Sequence, residues 1–253
     1  MNPGDVIFVS ASVPYRDGWT QGSFPAEIEE AIVALARATF ARGGRLLFGG
    51  HPSVSYLIAS VAGEYFEPEP SRRARPVITF QSEFFRKVLP DETWLLYRMG
   101  WSSIEWTPEV IRNGQRDRDA SLWLMRKQML LGPELPEDVK KKHGLTPPKA
   151  MAVIGGMEGV LEEAQMFLDH IPLWNEPRPP RIYSLPSGGG AAERLLRTDA
   201  PALAAARRGG LILDAEDYWK EHHPGVLPED VPLKPYSSIV QFMLDHLQGI
   251  GPR

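Results

Sequence analysis

The sequence predicts an α/β protein with a three-layer, Rossmann-like fold, in which a mostly parallel sheet is covered by helices on both faces. Two observations predict this fold. Short apolar, β-branched runs alternate with helical patterns up to about residue 200, and four of those runs end in small residues directly before a helix. The chain of 253 residues is long enough for one such domain with an appendage. We therefore expect a ligand-binding domain over residues 1–200 and a helical C-terminal extension over 201–253, packed on the same domain.

The first half of the chain supplies the elements of the predicted sheet in alternation. The run "DVIFVS" (5–10) predicts the first strand. Apolar residues recur at helical spacing over residues 25–44, with Pro25 at the start and Gly43-Gly44 at the end, and this pattern predicts a helix. The further expected elements are strands at 45–48 and 76–80, a helix at 53–66, a candidate strand at 103–107 and a helix at 117–131.

The second half continues the alternation and then changes character. The expected elements are a strand at 150–154, a helix at about 157–170, a strand at 181–185 and a helix that opens at 189–197. Proline-rich stretches at 132–149 and 175–181 predict surface connections, the first of them a loop or a partly helical excursion. After residue 200 only "LILD" (211–214) retains a strand pattern, while "PALAAARR" (201–208) and "PYSSIVQFMLDHLQ" (235–248) predict helices.

Composition excludes several classes of site and of partner. The formal net charge of −4 provides no global basic field, which disfavours nucleic acid as a partner. The absence of cysteine excludes disulfides, thiolate zinc sites, cysteine-ligated iron–sulfur clusters and a cysteine nucleophile. No apolar run reaches membrane length, and the N-terminus lacks a leader pattern, so we expect a cytoplasmic protein without a membrane partner. No pattern of ligands predicts a metal site or a resident cofactor.

Four strand-to-helix turns are candidates for a common ligand crevice. They are "FVSAS", "LFGGHPS", "VIGGMEG" and "SLPSGGG". The carboxyl ends of parallel strands lie along one edge of a sheet, glycine lets backbone N–H groups approach a phosphate, and a helix N-terminus favours its negative charge. Any single turn also fits tight packing alone. The candidate ligand-binding residues in these turns are Ser10, Ser12, Gly49, Gly50, His51, Gly155, Gly156, Glu158, Gly159, Ser187 and Gly188.

Two charged residues are further candidates because their helical faces predict burial. Arg126 shares an apolar stripe with Leu122 and Met129, so it needs a partner, either a carboxylate or a ligand phosphate. An ion pair with Asp119, or a side chain that reaches solvent, is the structural alternative. Glu163 falls at the edge of the core-facing side of its helix, and a solvated glutamate near a helix start is the alternative there.

The motifs, taken in chain order, resemble those of the SLOG superfamily of Rossmann-like domains. The resemblance is carried by "IFVSAS", "LLFGGHPS", "LMRKQM", "VIGGMEGVLEE" and "PSGGGAA". The superfamily includes the LOG phosphoribohydrolases, the DNA-uptake protein DprA and the sensor half of the Thoeris defence effector. The "FGGHP" and "GGMEG" turns look most like its standalone cluster near bacterial conflict genes, related to that sensor. The resemblance implies that residues 1–200 form a SLOG-like, nucleotide-binding domain.

One motif of the LOG enzymes can be carried over residue by residue. Those enzymes have an Arg-Lys pair on a helix and a P-G-G-x-G-T-x-x-E turn. The matching positions are Arg126 and Lys127 for the pair and Gly155, Gly156, Gly159 and Glu163 for the turn. In that family the Arg and the Glu serve cleavage of an N-ribosyl bond, so both would be catalytic here if the chain is an enzyme. Val160 replaces the Thr of the motif and Glu158 adds a negative charge, and these departures favour binding over hydrolysis.

The residues and the resemblance together leave three functions open. The first is a sensor that binds a nucleotide or an NAD-derived, ADP-ribose-like signal and acts through self-association or a separate effector protein, in bacterial signalling or antiphage defence. The second is a phosphoribohydrolase or related N-glycosidase that uses Glu163 and Arg126. The third, a DNA-binding or scaffolding domain, is disfavoured by the negative net charge. The sensor is the function that we expect from the sequence.

Overall fold

Seven parallel strands form the central sheet in the computed structural model, which describes residues 1–130, 146–174, 178–226 and 234–249. In chain order, the strands of the protein are β1 (Val6–Ser12), β2 (Arg45–Phe48), β3 (Val77–Ser82), β4 (Ser102–Thr107), β5 (Val110–Arg112), β6 (Gln115–Asp117), β7 (Ala150–Gly155), β8 (Arg181–Leu185) and β9 (Ile212–Asp214). The strand order of the sheet is β4-β3-β2-β1-β7-β8-β9. Strands β5 and β6 form a separate antiparallel ribbon.

Helices cover both faces of this sheet, which confirms the expected three-layer, Rossmann-like α/β class. In chain order they are α1 (Pro25–Ala41), α2 (Pro52–Tyr65), α3 (Asp91–Arg98), α4 (Arg118–Leu130), α5 (Glu158–His170), α6 (Gly190–Arg197), α7 (Pro201–Arg208), α8 (Ala215–His222) and α9 (Tyr236–Leu247). Helices α1, α2, α3, α8 and α9 pack on one face, and α4 to α7 pack on the other. Within the described ranges, no helix is long and apolar enough to cross a membrane.

The two faces of the sheet bury separate apolar cores because alternate residues of a strand point to opposite sides. Ile7 of β1 belongs to the core that includes α1 and α2. Its neighbour Phe8 belongs to the other core, where its ring lies 6.5 Å from that of Phe167 on α5. All three side chains are fully buried. Burial of one side chain of this size stabilises the fold by about 2 kcal/mol, so β1 is held from both sides.

The chain reverses its direction across the sheet next to β1. From β1 it moves outward through β2 and β3 to β4, and it then returns to place β7 against the other side of β1. The pairing of β1 with β7 runs as far as Ser12 and Gly155, so the two strands end side by side. Ligands of open α/β sheets bind outside the carboxyl ends of the strands at such a switch point.

Most of the expected elements are confirmed, with ends that differ by a few residues. Strand β1 continues to Ser12, beyond the expected 5–10. Helix α1 ends at Ala41, because Gly43 at φ 69° already has a left-handed backbone. The "LILD" pattern forms β9, so the segment after residue 200 adds a strand to the sheet as well as helices. Within the expected loops, residues 131–145 and 175–177 lie outside the described residues.

Helices α3 and α8 and the β5–β6 ribbon are elements that the sequence analysis missed. The ribbon had a recognisable signal, because Asn113 and Gly114 connect its strands with φ values of 51° and 75°, as a tight hairpin requires. Helix α8 also had one. The Asp214 carboxylate accepts hydrogen bonds from the backbone N–H groups of Glu216 and Asp217, which is the pattern of an N-cap.

Candidate functional site

A cleft of about 710 Å³ opens at the switch point, on the carboxyl edge of the sheet. Its walls come from the ends of β1, β2 and β3, from the N-terminus of α2 and from the facing sides of α4 and α5. Its volume lies within the range of roughly 300–1,000 Å³ that is typical of small-molecule sites. Position and size therefore both fit a ligand-binding cleft.

Hydrogen bonds join the turns after β1 and β2 beside this cleft. The backbone N–H of Val13 donates to Oγ of Ser53 at 3.1 Å, and this Oγ lies 2.8 Å from Nδ1 of His51. His51 also caps α2, because its Nδ1 accepts from the backbone N–H of Ser53 at 3.3 Å. At Gly50, where φ is 65°, an added Cβ would lie 3.0 Å from Thr79. The start of α2 is therefore fixed in the cleft wall.

Arg126 of α4 and Glu163 of α5 form a largely buried ion pair in the opposite wall. Arg126 donates from Nε to Glu163 Oε1 at 3.1 Å and from Nη1 to Glu162 Oε2 at 2.6 Å. Ser10 of β1 donates to the other oxygen of Glu163 at 2.5 Å. The side chains of Arg126 and Glu163 are only 17% and 13% exposed, against 55% for Glu162. A strand and two helices thus meet at the carboxylate of Glu163.

These contacts decide between the alternatives for Arg126. The alternative of an ion pair between Arg126 and Asp119 is wrong, because Asp119 pairs with Arg118 at 3.0 Å instead. Glu162 also takes part, since its carboxylate binds Arg126. The guanidinium of Arg126 therefore reaches both neighbouring glutamates of α5.

Burial shifts the pKa values of two groups in the cleft. Burial raises the pKa of Glu163, while Arg126 and Ser10 act in the opposite direction because they stabilise the carboxylate. Burial lowers the pKa of His51, which favours the neutral imidazole that caps α2. Titratable groups with shifted pKa values in a cleft are typical of functional sites.

An apolar wall faces the polar cluster, and the sequence analysis missed it. It is formed by the connection between β3 and α3 and includes Phe85, Val88, Leu89 and Pro90. The guanidinium of Arg118, at the start of α4, lies 5.9 Å from the ring of Phe85 and also lines the cleft. The connection is a short 3₁₀ helix followed by extended residues, so no helical or strand periodicity marked it.

The turn after β7 uses its glycines for close packing. The N–H of Gly156 donates to the carbonyl of Ser12 at 2.7 Å, and the carbonyl of Gly156 accepts from the N–H of Ala191 at 2.9 Å. A Cβ at Gly155 would lie 2.6 Å from the side chain of Ile28. These backbone groups therefore join α1, α6 and the end of β1.

The connection between β1 and α1 covers the start of α5. Trp19 is 7% exposed, and its Nε1 donates to Glu158 Oε1 at 2.6 Å. Arg16 lies 3.5 Å from the other oxygen of Glu158, and Arg194 of α6 stacks 3.8 Å from the centre of the Trp19 ring. Glu158 is thus engaged by this connection at the N-terminus of α5.

The turn after β8 already holds a carboxylate of the protein itself. Glu216 of α8 is 2% exposed and accepts hydrogen bonds from both the backbone N–H and the hydroxyl of Ser187. Lys234 Nζ lies 3.3 Å from the same carboxylate. A Cβ at Gly188 would lie 2.5 Å from Ile28. The Ser187 donors that were expected to bind a ligand anion therefore bind the carboxylate of Glu216 instead.

The cleft brings together part of the candidate set. Its walls include Ser12, Gly49, Gly50, His51, Arg126, Gly159 and Glu163, and Ser10 contacts it through Glu163. The candidates outside its walls are Lys127, Gly155, Gly156, Glu158, Ser187 and Gly188. Lys127 places Nζ 5.5 Å from the centre of the Trp123 ring. In the part of the chain that the structure describes, no group of three His, Asp or Glu side chains could hold a metal ion.

Much of the cleft lies within a segment that matches a known family. A family model described as the SLOG cluster3 family matches residues 19–208, which include the walls formed by α2, α4 and α5. Among solved structures, the X-ray structure of TM1055, Northeast Structural Genomics Consortium target VT76, is 12% identical and has a TM-score of 0.43. That match covers 78% of this chain and 84% of that chain. No curated protein matches the chain.

Proposed function

Because this chain belongs to the SLOG cluster3 family, we propose that its cleft binds a nucleotide or an NAD-derived, ADP-ribose-like molecule. Membership of this family supports a nucleotide-related function in general. The proposal goes further, since it makes the protein a sensor in a bacterial signalling or defence system. In this role the ligand is held and released intact.

The engagement of both Glu163 oxygens carries this proposal. One oxygen accepts from Nε of Arg126 and the other from the hydroxyl of Ser10. A carboxylate that acts as nucleophile or base needs an oxygen directed at the substrate. Glu163 with two internal donors instead fixes the guanidinium of Arg126, the residue type best suited to bind a phosphate.

The two sides of the cleft match the two parts of a nucleotide. Arg126 and Arg118 supply positive charge for a phosphate, and the N-terminus of α2 at His51 adds a partial positive charge. The apolar wall around Phe85 and Leu89 suits the flat, weakly polar surface of a base. A ligand with both a base and phosphates fits this separation better than either group alone.

A second candidate function is favoured by the burial of Glu163. Its carboxyl group is 13% exposed in the cleft wall, and burial raises its pKa, as is common for general acids. On ligand binding, Arg126 could leave Glu163 for a phosphate and free the carboxyl for an N-ribosyl bond. This N-glycosidase alternative uses the same two residues as the sensor but consumes the ligand.

The test exposes the purified protein to nucleoside monophosphates, NAD, ADP-ribose and cyclic ADP-ribose isomers, followed by thermal shift and chromatography. We expect at least one member to raise the Tm and to be recovered intact. Release of free base that disappears in Glu163→Gln would support the N-glycosidase and contradict the sensor. If no member raises the Tm or is cleaved, both functions are wrong.

Matched variants show whether the cleft is the site. Arg126→Ala should weaken the binding of the stabilising ligand about tenfold or more, because a hydrogen-bonded charge pair is lost. Arg98→Ala removes the same charge from an exposed position in the last turn of α3 and should leave the affinity unchanged. Equal losses in the two variants would indicate a general charge effect and would exclude this cleft as the site.

A sensor also needs a partner, and we propose self-association or a separate effector protein. Tyr15 and Val88 line the cleft and are 65% and 72% exposed, so apolar side chains surround its mouth. Light scattering with and without ADP-ribose would detect ligand-dependent assembly, and Val88→Ser should reduce it. An unchanged mass, together with no partner recovered by pull-down, would contradict this part of the proposal.

A further inference from the structure

A second cavity, of about 610 Å³, lies at the opposite edge of the sheet from the cleft. Its walls come from residues at the amino ends of three strands, namely Asp5 before β1, Lys149 before β7 and Arg181 at the start of β8. The end of α9 closes the remaining side with His246 and Gly249. Because the sheet separates the two cavities, their functions can be tested independently.

Positive charge dominates this second cavity. Among the described residues, its lining carries the cationic side chains of Lys149, Arg178 and Arg181 and one carboxylate, that of Asp5. Asp5 already accepts a hydrogen bond from the backbone N–H of Asn2 at 2.6 Å. Among the residues that the structure describes, no carboxylate lies within salt-bridge distance of Arg178 or Arg181. The guanidinium groups of Arg178 and Arg181 therefore line the cavity without a carboxylate partner from the described residues.

Arg181 is placed beside an imidazole rather than beside a carboxylate. Its Nη1 lies 2.6 Å from Nε2 of His246, and Tyr183 Oη lies 2.9 Å from Nδ1 of the same ring. A guanidinium group can only donate, so Nε2 is the acceptor, Nδ1 carries the proton and Tyr183 Oη accepts it. This chain of contacts holds a neutral histidine and leaves the charge of Arg181 unbalanced.

Arg178 lies against the end of a helix. A Cβ at Gly249 would lie 1.9 Å from Nη1 of Arg178, so the guanidinium rests on the backbone that follows α9. The C-terminus of a helix carries partial negative charge and stabilises a nearby cation. That contact positions Arg178 at the cavity without a neutralising carboxylate from the described residues.

We propose that this cavity is a second ligand site, which binds a phosphoryl group of a small anion through Arg178 and Arg181. Guanidinium groups match the oxygens of a phosphate with paired hydrogen bonds. Tyr183 and His246 lie at hydrogen-bonding distance of one another beside the two arginines and define the polar wall. The proposal does not depend on the function of the cleft.

The probe is pyrophosphate, titrated into the full chain by isothermal calorimetry in the Arg126→Ala background. That background weakens any phosphate binding in the cleft. We expect a binding event that remains in the background and becomes at least tenfold weaker when either Arg181→Ala or Arg178→Ala is added. Arg73→Ala, which removes an exposed arginine from the connection between α2 and β3, is the charge-matched control and should change nothing.

Three results would overturn the proposal. They are the absence of pyrophosphate binding in the background, unchanged binding after both arginine substitutions, and an equal loss in Arg73→Ala. If Arg181→Ala fails to fold, Arg178→Ala still decides, because Arg178 is exposed and its loss leaves the contacts of Arg181 in place. Arg181→Lys should fold and bind with intermediate affinity, since it keeps the charge without the planar fork.

His246 provides a second readout of the same site. Its pKa is lowered by burial, then by the charge of Arg181 and by His222, while Tyr183 and Tyr218 also face its ring. A bound phosphate would offset the positive charge of Arg181, so the pKa of His246 should rise. Proton NMR of the imidazole with and without pyrophosphate measures this shift. A pKa of His246 that does not move would place the bound anion elsewhere and contradict the proposal.

Discussion

The guanidinium of Arg126 lies directly against the backbone of Gly159. A Cβ at Gly159 would lie only 2.1 Å from Arg126 Nη2. Gly159 is in the first turn of α5, and Glu163 follows one turn later on the same helix. The missing side chain therefore opens the path by which Arg126 reaches Glu163. A glycine that was expected to admit a phosphate admits the arginine for which we propose that role.

Substitution of Gly159 by alanine tests this relationship. We expect Gly159→Ala to displace the flexible end of Arg126 and to weaken ligand binding in the cleft about tenfold. Displacement of the guanidinium also weakens its buried pair with Glu163, so the free energy of unfolding should fall, by less than in Arg126→Ala, because the higher helix propensity of alanine offsets up to about 1 kcal/mol. Gly209→Ala, whose Cβ would meet only an ordinary contact at 3.4 Å, is the matched control. Calorimetric binding and thermal unfolding measure both effects, and unchanged affinity in Gly159→Ala would refute the relationship.

The two ion pairs of Arg126 should contribute unequally to stability. Glu162 is 55% exposed, so Glu162→Ala should lower the free energy of unfolding by at most about 1 kcal/mol. Arg126→Ala leaves the largely buried Glu163 without its cation and should cost about 3 kcal/mol. Urea denaturation measures both values. Equal costs would mean that Glu163 is not buried as a charged group, and they would contradict the buried ion pair of Arg126 and Glu163.

The hydrophobic pattern of short segments was sufficient to predict the strands of the sheet, but it did not predict which side chains contact the turns at the carboxyl edge. The runs at β1, β2, β7 and β8 are mostly apolar because both faces of the sheet are covered, and that property can be read along the chain. The occupant of the turn after β8 is Glu216, which comes from α8 and is separated from Ser187 by 29 positions. No pattern within the turn could identify that carboxylate.

The partners of Arg126 in the candidate site also could not be predicted from local sequence. Its place on an apolar stripe predicted a buried charge that needs a partner, and the structure confirms a carboxylate as that partner. The choice of Glu163 and Glu162 over Asp119 depends on how α4 lies beside α5, which the sequence of either helix does not specify. The wall around Phe85 was missed for a related reason, since irregular segments are placed by the elements around them.

The contact between Ser187 and Glu216 predicts that the turn after β8 has a structural role and does not bind the ligand. Glu216→Ala should lower the free energy of unfolding by about 2–3 kcal/mol, because it leaves the N–H and hydroxyl of Ser187 and the ammonium group of Lys234 without their acceptor. Ser187→Ala should leave ligand affinity in the cleft unchanged. Urea denaturation and calorimetry test the two statements. A large loss of affinity in Ser187→Ala would return this turn to the ligand site, as the sequence first suggested.

The cap of α2 should make stability depend on pH in a defined direction. Burial lowers the pKa of His51 below its ordinary value of 6.5, so the unfolded chain binds a proton at a higher pH than the folded chain. The stabilisation by neutral His51 is therefore complete above pH 6.5 and is lost as the pH falls through the lower folded pKa.

His51→Asn keeps a capping side chain but does not titrate. Thermal unfolding from about pH 7 to about pH 5 should show a steeper fall of Tm in the wild type than in the variant. Because His246 also has a lowered pKa but is present in both proteins, its contribution cancels in this difference, and parallel profiles would show that His51 is not held neutral by burial.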